Sequence, residues 1–146
     1  MKAQESIILN VAPEKVWPYL FEPEKVMLWS STYQKYEIVG EPHGGLGSRI
    51  YIEEKAGGPL MKYTFETTGW EENKKLTMRM ISGSGVKAYQ QTLQLDKVEA
   101  GCQFSFMEEV ELPMGLLGKI IGFLGEGMSH STLRKMLKKL KSLVEA

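Results

Sequence analysis

Apolar and polar residues alternate along most of this chain, and turn-forming residues interrupt the alternation at short intervals. Glu5-Ser6-Ile7-Ile8-Leu9-Asn10-Val11 reads as a first strand. It runs into Ala12-Pro13-Glu14-Lys15-Val16-Trp17, a helix opened by proline, and a second proline start at Pro23-Glu24 leads to Trp29. Strand patterns then follow over Tyr33 to Val39, Ser48 to Glu54, Leu60 to Trp70, Lys75 to Ser82, Val86 to Asp96 and Cys102 to Leu112. Glycine-, proline- and asparagine-containing turns separate them. The pattern predicts seven strands whose short links favour antiparallel neighbours.

The last part of the chain changes period. Leu133, Met136, Leu137, Leu140, Leu143 and Val144 recur at helical spacing, with Arg134, Lys135, Lys138, Lys139 and Lys141 opposite. Such an apolar stripe needs a large buried partner, and the sheet is the one available. The expected architecture is α+β: a curved antiparallel sheet around one long C-terminal helix, with two short helices after the first strand. A second stripe, Leu116, Leu117, Ile120, Ile121, Leu124 and Met128, is out of phase with the first, and Gly125-Glu126-Gly127 marks the change. Glycine weakens a helix there. Residues 114–124 are therefore expected as a separate apolar turn or lid. A helix kinked to follow the sheet and a segment dipping into a membrane surface are the other readings.

Alternation also sorts side chains by face. Met61, Tyr63 and Phe65 share one face of their strand; Tyr89, Gln91, Leu93 and Leu95 share another; Phe104, Phe106, Glu108 and Val110 a third. Leu76, Met78 and Met80 oppose Thr77, Arg79 and Ile81, and pattern alone leaves that strand ambiguous. The inferred lining is aromatic and rich in methionine, of which the chain has 9. Methionine suits an adaptable pocket, and equally an ordinary core. Trp29 is expected at the mouth of such a pocket and Trp17 in the core.

Composition narrows the function. The 146 residues suit a single domain spanning the chain, large enough for a core and one cavity. Lys plus Arg and Asp plus Glu number 18 each, so no net field draws nucleic acid. No apolar run is long enough for stable membrane insertion. The start, Met1-Lys2-Ala3-Gln4-Glu5, lacks a signal-peptide core, and the cytoplasm is the expected compartment. A lone Cys102 forms no internal disulfide, and no Cys/His spacing suggests zinc, so neither metal nor cofactor is expected. Gly44-Gly45-Leu46-Gly47 lacks the lysine and serine of a phosphate loop and precedes a strand. Glu126 and His130, spaced i,i+4, could form an acid/base pair on the face that continues into Leu133, with Glu108 and Arg49 nearby in some registers. A solvated pair at the start of the helix is the simpler account. His43 sits in a glycine loop and is expected to be exposed.

Three short stretches carry a family resemblance. Ala12 to Trp17 is similar to the first-helix start of the SRPBCC or START-like superfamily, which includes Bet v 1-like and polyketide cyclase/dehydrase-type proteins. Gly44-Gly45-Leu46-Gly47-Ser48-Arg49 resembles its glycine loop, and Lys138 to Glu145 its ending. The order of elements over the whole chain resembles it more strongly than any one motif. The resemblance implies a helix-grip fold and a hydrophobic small-molecule ligand, such as a lipid, sterol or polyketide, held between sheet and helix by a carrier or sensor. Trp29, Met61, Tyr63, Phe65, Met78, Tyr89, Gln91, Leu93, Phe104, Phe106, Met114, Leu117, Ile121, Leu124 and His130 are the expected ligand contacts. Two other functions stay open: a cyclase or dehydratase using Glu126 or His130, and a protein-binding or chaperone-cofactor module of the same fold.

Overall fold

The alternating segments do pair into one sheet. In the computed structural model, residues 2–83, 85–113 and 115–146 are described, and for 115–129 only the helical backbone. The strands are β1 (Lys2–Leu9), β2 (Tyr33–Val39), β3 (Arg49–Glu54), β4 (Met61–Glu71), β5 (Lys75–Gly83), β6 (Ala88–Val98) and β7 (Gly101–Glu111). They lie in the order β1-β7-β6-β5-β4-β3-β2, each antiparallel to its neighbour. Hairpins join β2 through β7, while β1 crosses the layout to pair with β7.

Three short helices, not two, follow β1: α1 (Pro13–Val16), α2 (Pro18–Phe21) and α3 (Pro23–Trp29). Each begins with proline at a first-turn position, where a missing N–H costs nothing and the fixed φ suits the helix. Pro18 supplies the additional start. The last element, α4 (Gly115–Val144), is one helix of 30 residues. The separate turn expected at 114–124 is therefore not separate, since its helical residues belong to α4. Gly125 and Gly127 cost about 1 kcal/mol each relative to alanine. A helix already nucleated gains a hydrogen bond per added residue and can absorb that.

The expected stripe of α4 is buried at Leu133, Met136, Leu137, Leu140 and Val144. The helix lies along edge strand β1. Lys141 Nζ donates to the Ile8 carbonyl at 2.8 Å, and the Asn10 backbone N–H donates to Glu145 Oε2 at 2.9 Å. Both bonds serve an edge that would otherwise present unpaired backbone groups. The lysine beside Glu145 also holds its carboxyl below the usual range.

Three register shifts interrupt the pairing among the described residues, one of them between Thr64 and Phe65 where β4 meets β5. Pairing of β2 with β3 shifts between Tyr33 and Lys35, and pairing of β4 with β5 shifts between Thr67 and Gly69. A bulge inserts an unpaired residue and breaks strict alternation. Tyr33 and Tyr36, an odd number apart, thus both turn inward and stack with ring centroids 6.1 Å apart. By the same device Thr67 stays buried while Trp70 reaches the edge-to-face cluster with Trp17 and Phe21. Among the described residues, no helix is long and apolar enough to cross a membrane.

Candidate ligand-binding site

The concave face of the sheet has two unlike halves. One half is dry core. Leu9, Leu95, Cys102, Phe104, Leu137, Leu140 and Val144 are almost wholly covered. Toward the other ends of the strands the inward rows of β3, β4, β5, β6 and β7 carry Glu54, Met61, Tyr63, Met80, Tyr89, Glu108 and Val110, and several of these are only half covered. In β5 the ambiguity is settled: Leu76 and Met78 are buried with Met80 partly so, while Arg79 faces out.

A polar network occupies this second half. The Tyr89 hydroxyl donates to Glu108 Oε1 at 2.8 Å, and Glu54 Oε1 stands 3.5 Å from the same hydroxyl. Gln91 Nε2 donates to the Tyr33 hydroxyl at 2.8 Å and to the Tyr89 hydroxyl at 3.1 Å. Thr32 donates to Glu54 Oε2 at 2.9 Å. The register explains the assembly. Glu108 pairs with Gln91 across β7 and β6, and Glu54 pairs with Tyr33 across β3 and β2. Tyr63 and Tyr89 meet edge to face at 5.2 Å, and Phe65 meets Tyr89 at 5.1 Å.

Two carboxylates enclosed together cannot both ionise freely. Burial first, and then the charge of Glu54, push Glu108 up to about 7, against the pull of its Tyr89 hydrogen bond. Burial likewise raises Glu54, although Thr32 and Tyr89 oppose it. Among the described residues no lysine, arginine or histidine pairs with either. Tyr63 is pushed up to about 12 by burial, helped by Glu54 and Glu108. Its hydroxyl makes no hydrogen bond among the described residues. The Glu108 carboxyl group is desolvated by its surroundings although the residue is only partly covered. Beyond Tyr33 and Gln91 lies a void of about 10 Å³, room for about one water, and the buried Tyr36 hydroxyl on its wall has no partner.

The structure sorts the expected contacts as follows. Met61, Tyr63, Phe65, Met78, Tyr89, Gln91, Leu93, Phe104 and Phe106 all face inward. Met61, Tyr63, Tyr89 and Gln91 belong to the polar half or its border, while Leu93, Phe104 and Phe106 pack into the dry half. Trp29 is not at a mouth. It is 2% exposed, its indole N–H donates to the Tyr19 carbonyl at 2.8 Å, and it stands edge-on to Phe104 and Phe106. Its position at the end of α3, against the sheet, turns the ring inward. His130 also departs from expectation. Its Nδ1 lies 2.9 Å from Glu5 Oε1 on β1, and Arg134 Nε is 3.0 Å from the same oxygen. The helix face that looked central in a linear pattern meets the sheet's edge strand. Arg49 is exposed on the outer face, away from Glu108. His43 is exposed as expected and lies beside Glu41. Met114 and the side chains of Leu117, Ile121, Leu124 and Glu126 lie outside the described residues. Among the described residues no group of three or more His, Cys, Asp or Glu is placed to hold a metal.

Glu54, Tyr33 and Tyr36 stand in or beside this network, and pattern reading did not single them out. Glu54 had a visible signal, since Ile50, Ile52 and Glu54 alternate on one face. Tyr33 and Tyr36 had none, because a bulge places them.

A curved seven-stranded antiparallel sheet gripping a C-terminal helix, with short helices after the first strand, defines the helix-grip class. The chain belongs to the family described as polyketide cyclase / dehydrase and lipid transport, which it matches over residues 1–145. Similar solved structures include TTHA0849 from Thermus thermophilus (TM-score 0.82, 16% identity, covering 99% of this chain and 97% of that one). A START superfamily protein from Mycobacterium smegmatis superposes with TM-score 0.80 at 14% identity, covering 99% and 97%. Major latex-like protein 151 from Panax ginseng does so at 0.74 and 13%, covering 97% and 95%. At such identities the likeness establishes the fold alone. No curated protein matches the sequence.

Proposed function

We propose that this protein holds a hydrophobic small molecule between sheet and helix α4, as a carrier or sensor. One observation carries the reading: the inward rows at one end of the sheet are apolar and aromatic but incompletely covered, and they end on an enclosed polar network with unused hydrogen-bonding capacity. Small-molecule sites combine mostly apolar walls with a few convergent polar groups. The apolar body of the ligand lies against Met61, Met80 and Val110, and its polar end reaches Tyr63, Tyr89 and Glu108. The family's lipid-transport members support the same reading.

Displacement of a neutral solvatochromic dye such as Nile red tests it, alongside native mass spectrometry of freshly purified protein. The expected result is dye fluorescence that falls as a long-chain alcohol or sterol is added, or a retained small-molecule mass. A protein that neither brightens the dye nor retains a mass, and that no apolar compound stabilises against heat, would sink the proposal.

A second reading has a specific observation behind it. Glu108, held near neutrality and bonded to Tyr89, is suited to proton transfer, as a cyclase or dehydratase would need. It moves the enzyme hypothesis from Glu126 and His130 to Glu108 and Tyr89.

A further inference from the structure

The ligand reading leaves the polar end of the site without a chemical identity, and the arrangement of acceptors there supplies one. We propose that this end takes a protonated amine, so that the protein selects cationic amphiphiles over neutral ones and excludes anionic ones. The inference rests on the ligand-site reading above.

Three observations point the same way. Glu54 and Glu108 converge from β3 and β7 on the Tyr89 hydroxyl, and no cationic side chain among the described residues pairs with either. Burying carboxylates without a counter-charge is costly, and a ligand cation would remove that cost. Independently of the acids, Tyr63 is 5% exposed, yet its hydroxyl has no hydrogen-bond partner among the described residues. It lies within electrostatic range of both carboxylates. The side chain is buried but its oxygen is not sealed off, so the hydroxyl is free to meet a ligand or a water. Third, the wall is aromatic. Tyr63 and Tyr89 stand edge to face, backed by the fully buried Phe65, and aromatic walls attract a desolvated cation.

The donor count fits. A primary ammonium carries three N–H groups. Tyr89 has one hydroxyl hydrogen, which the shorter bond gives to Glu108 Oε1, and Thr32 donates to Glu54 Oε2; Glu108 Oε2, the Tyr63 oxygen and Glu54 Oε1, which has only the long 3.5 Å contact with Tyr89, remain to accept. A fatty acid or a phosphate would bring a third negative charge into the same enclosure. Among the described residues the network offers an anion only hydroxyl and amide donors, most of them already engaged. A neutral alcohol would be tolerated and gain less.

The test compares dodecylamine, dodecanol and dodecanoic acid as displacers of Nile red at pH 8, each below its micelle concentration. The same series is run on Glu108→Gln and on Glu54→Gln/Glu108→Gln, with circular dichroism to show that each variant is folded. The expected order is amine, alcohol, acid, with the amine about tenfold or more tighter than the alcohol. The double variant should bring amine and alcohol to within about threefold while leaving alcohol binding in place. If the double variant does not fold, Glu108→Gln alone should still cut the amine preference. An alcohol that binds as well as the amine, or an acid that binds best, overturns the amine inference and leaves the ligand-site reading standing. If none of the three displaces the dye, the ligand-site reading falls and the inference falls with it.

Discussion

Replacing Glu108 by glutamine is expected to make the protein markedly more stable at pH 8 and to change its stability little at pH 5. Glu108 is raised to about 7 in the folded protein by burial and by Glu54, against an ordinary value of 4.5. A carboxyl group raised on folding contributes most stability while it is protonated in both states, below its unfolded value. As pH rises from about 4.5 to about 7 the unfolded chain releases the proton and the folded chain does not, so stability is lost through that window. The loss approaches about 3 kcal/mol by pH 8 and is under about 1 kcal/mol at pH 5. Glutamine is close to isosteric, keeps an oxygen for the Tyr89 hydroxyl and carries no charge. The groups that face Glu108 among the described residues are Glu54, Tyr33, Tyr63 and Tyr89, and each phenol is itself raised. None supplies a compensating positive charge. Urea unfolding of wild type and variant at both pH values checks this. A stability difference that stays constant across the range would mean that Glu108 titrates as a solvated carboxylate.

Trp29→Ala is the second large effect. The indole is almost wholly buried, fills the junction of α3 with β7 between Phe104 and Phe106, and donates to the Tyr19 carbonyl. Truncation leaves a cavity and removes that donor, at about 3–5 kcal/mol. Against a typical total of about 5–15 kcal/mol, that is a large share. Trp29→Phe keeps most of the volume and should lose roughly half as much. The comparison is made by denaturant midpoint. A near-neutral Trp29→Ala would return Trp29 to the mouth of the site.

Both predictions show what the amino-acid pattern could reveal and what it could not. Period-two alternation assigned the inward faces of β4, β6 and β7, because side chains in a paired strand have only two directions. Glu108 was legible there, in step with Phe104 and Phe106. Its importance was not, since that depends on Glu54, distant in the chain, sharing its enclosure. Tyr36 was illegible for a different reason: alternation assumes no bulge, and the shift between Tyr33 and Lys35 reverses its face. His130 shows the limit of helical spacing. The spacing correctly joined it to Leu133 and Leu137, but its observed partner Glu5 lies 125 residues away on β1. Trp29 was misplaced because burial depends on how α3 docks, and a short helix carries little information about that. The phase change at Gly125 to Gly127 is real in the pattern, although the backbone of α4 continues through it.

The central claim is that the half-covered inward end of the sheet receives an apolar ligand. Methionine methyl groups report on it directly, because they stand both inside the site and away from it. In a 13C-methyl-methionine NMR titration with dodecanol, the account predicts shifts at Met61 and Met80, which face the site, and none at Met27, which is exposed on α3. Shifts confined to Met27, or Met61 and Met80 signals that remain unmoved at saturating alcohol, would contradict it.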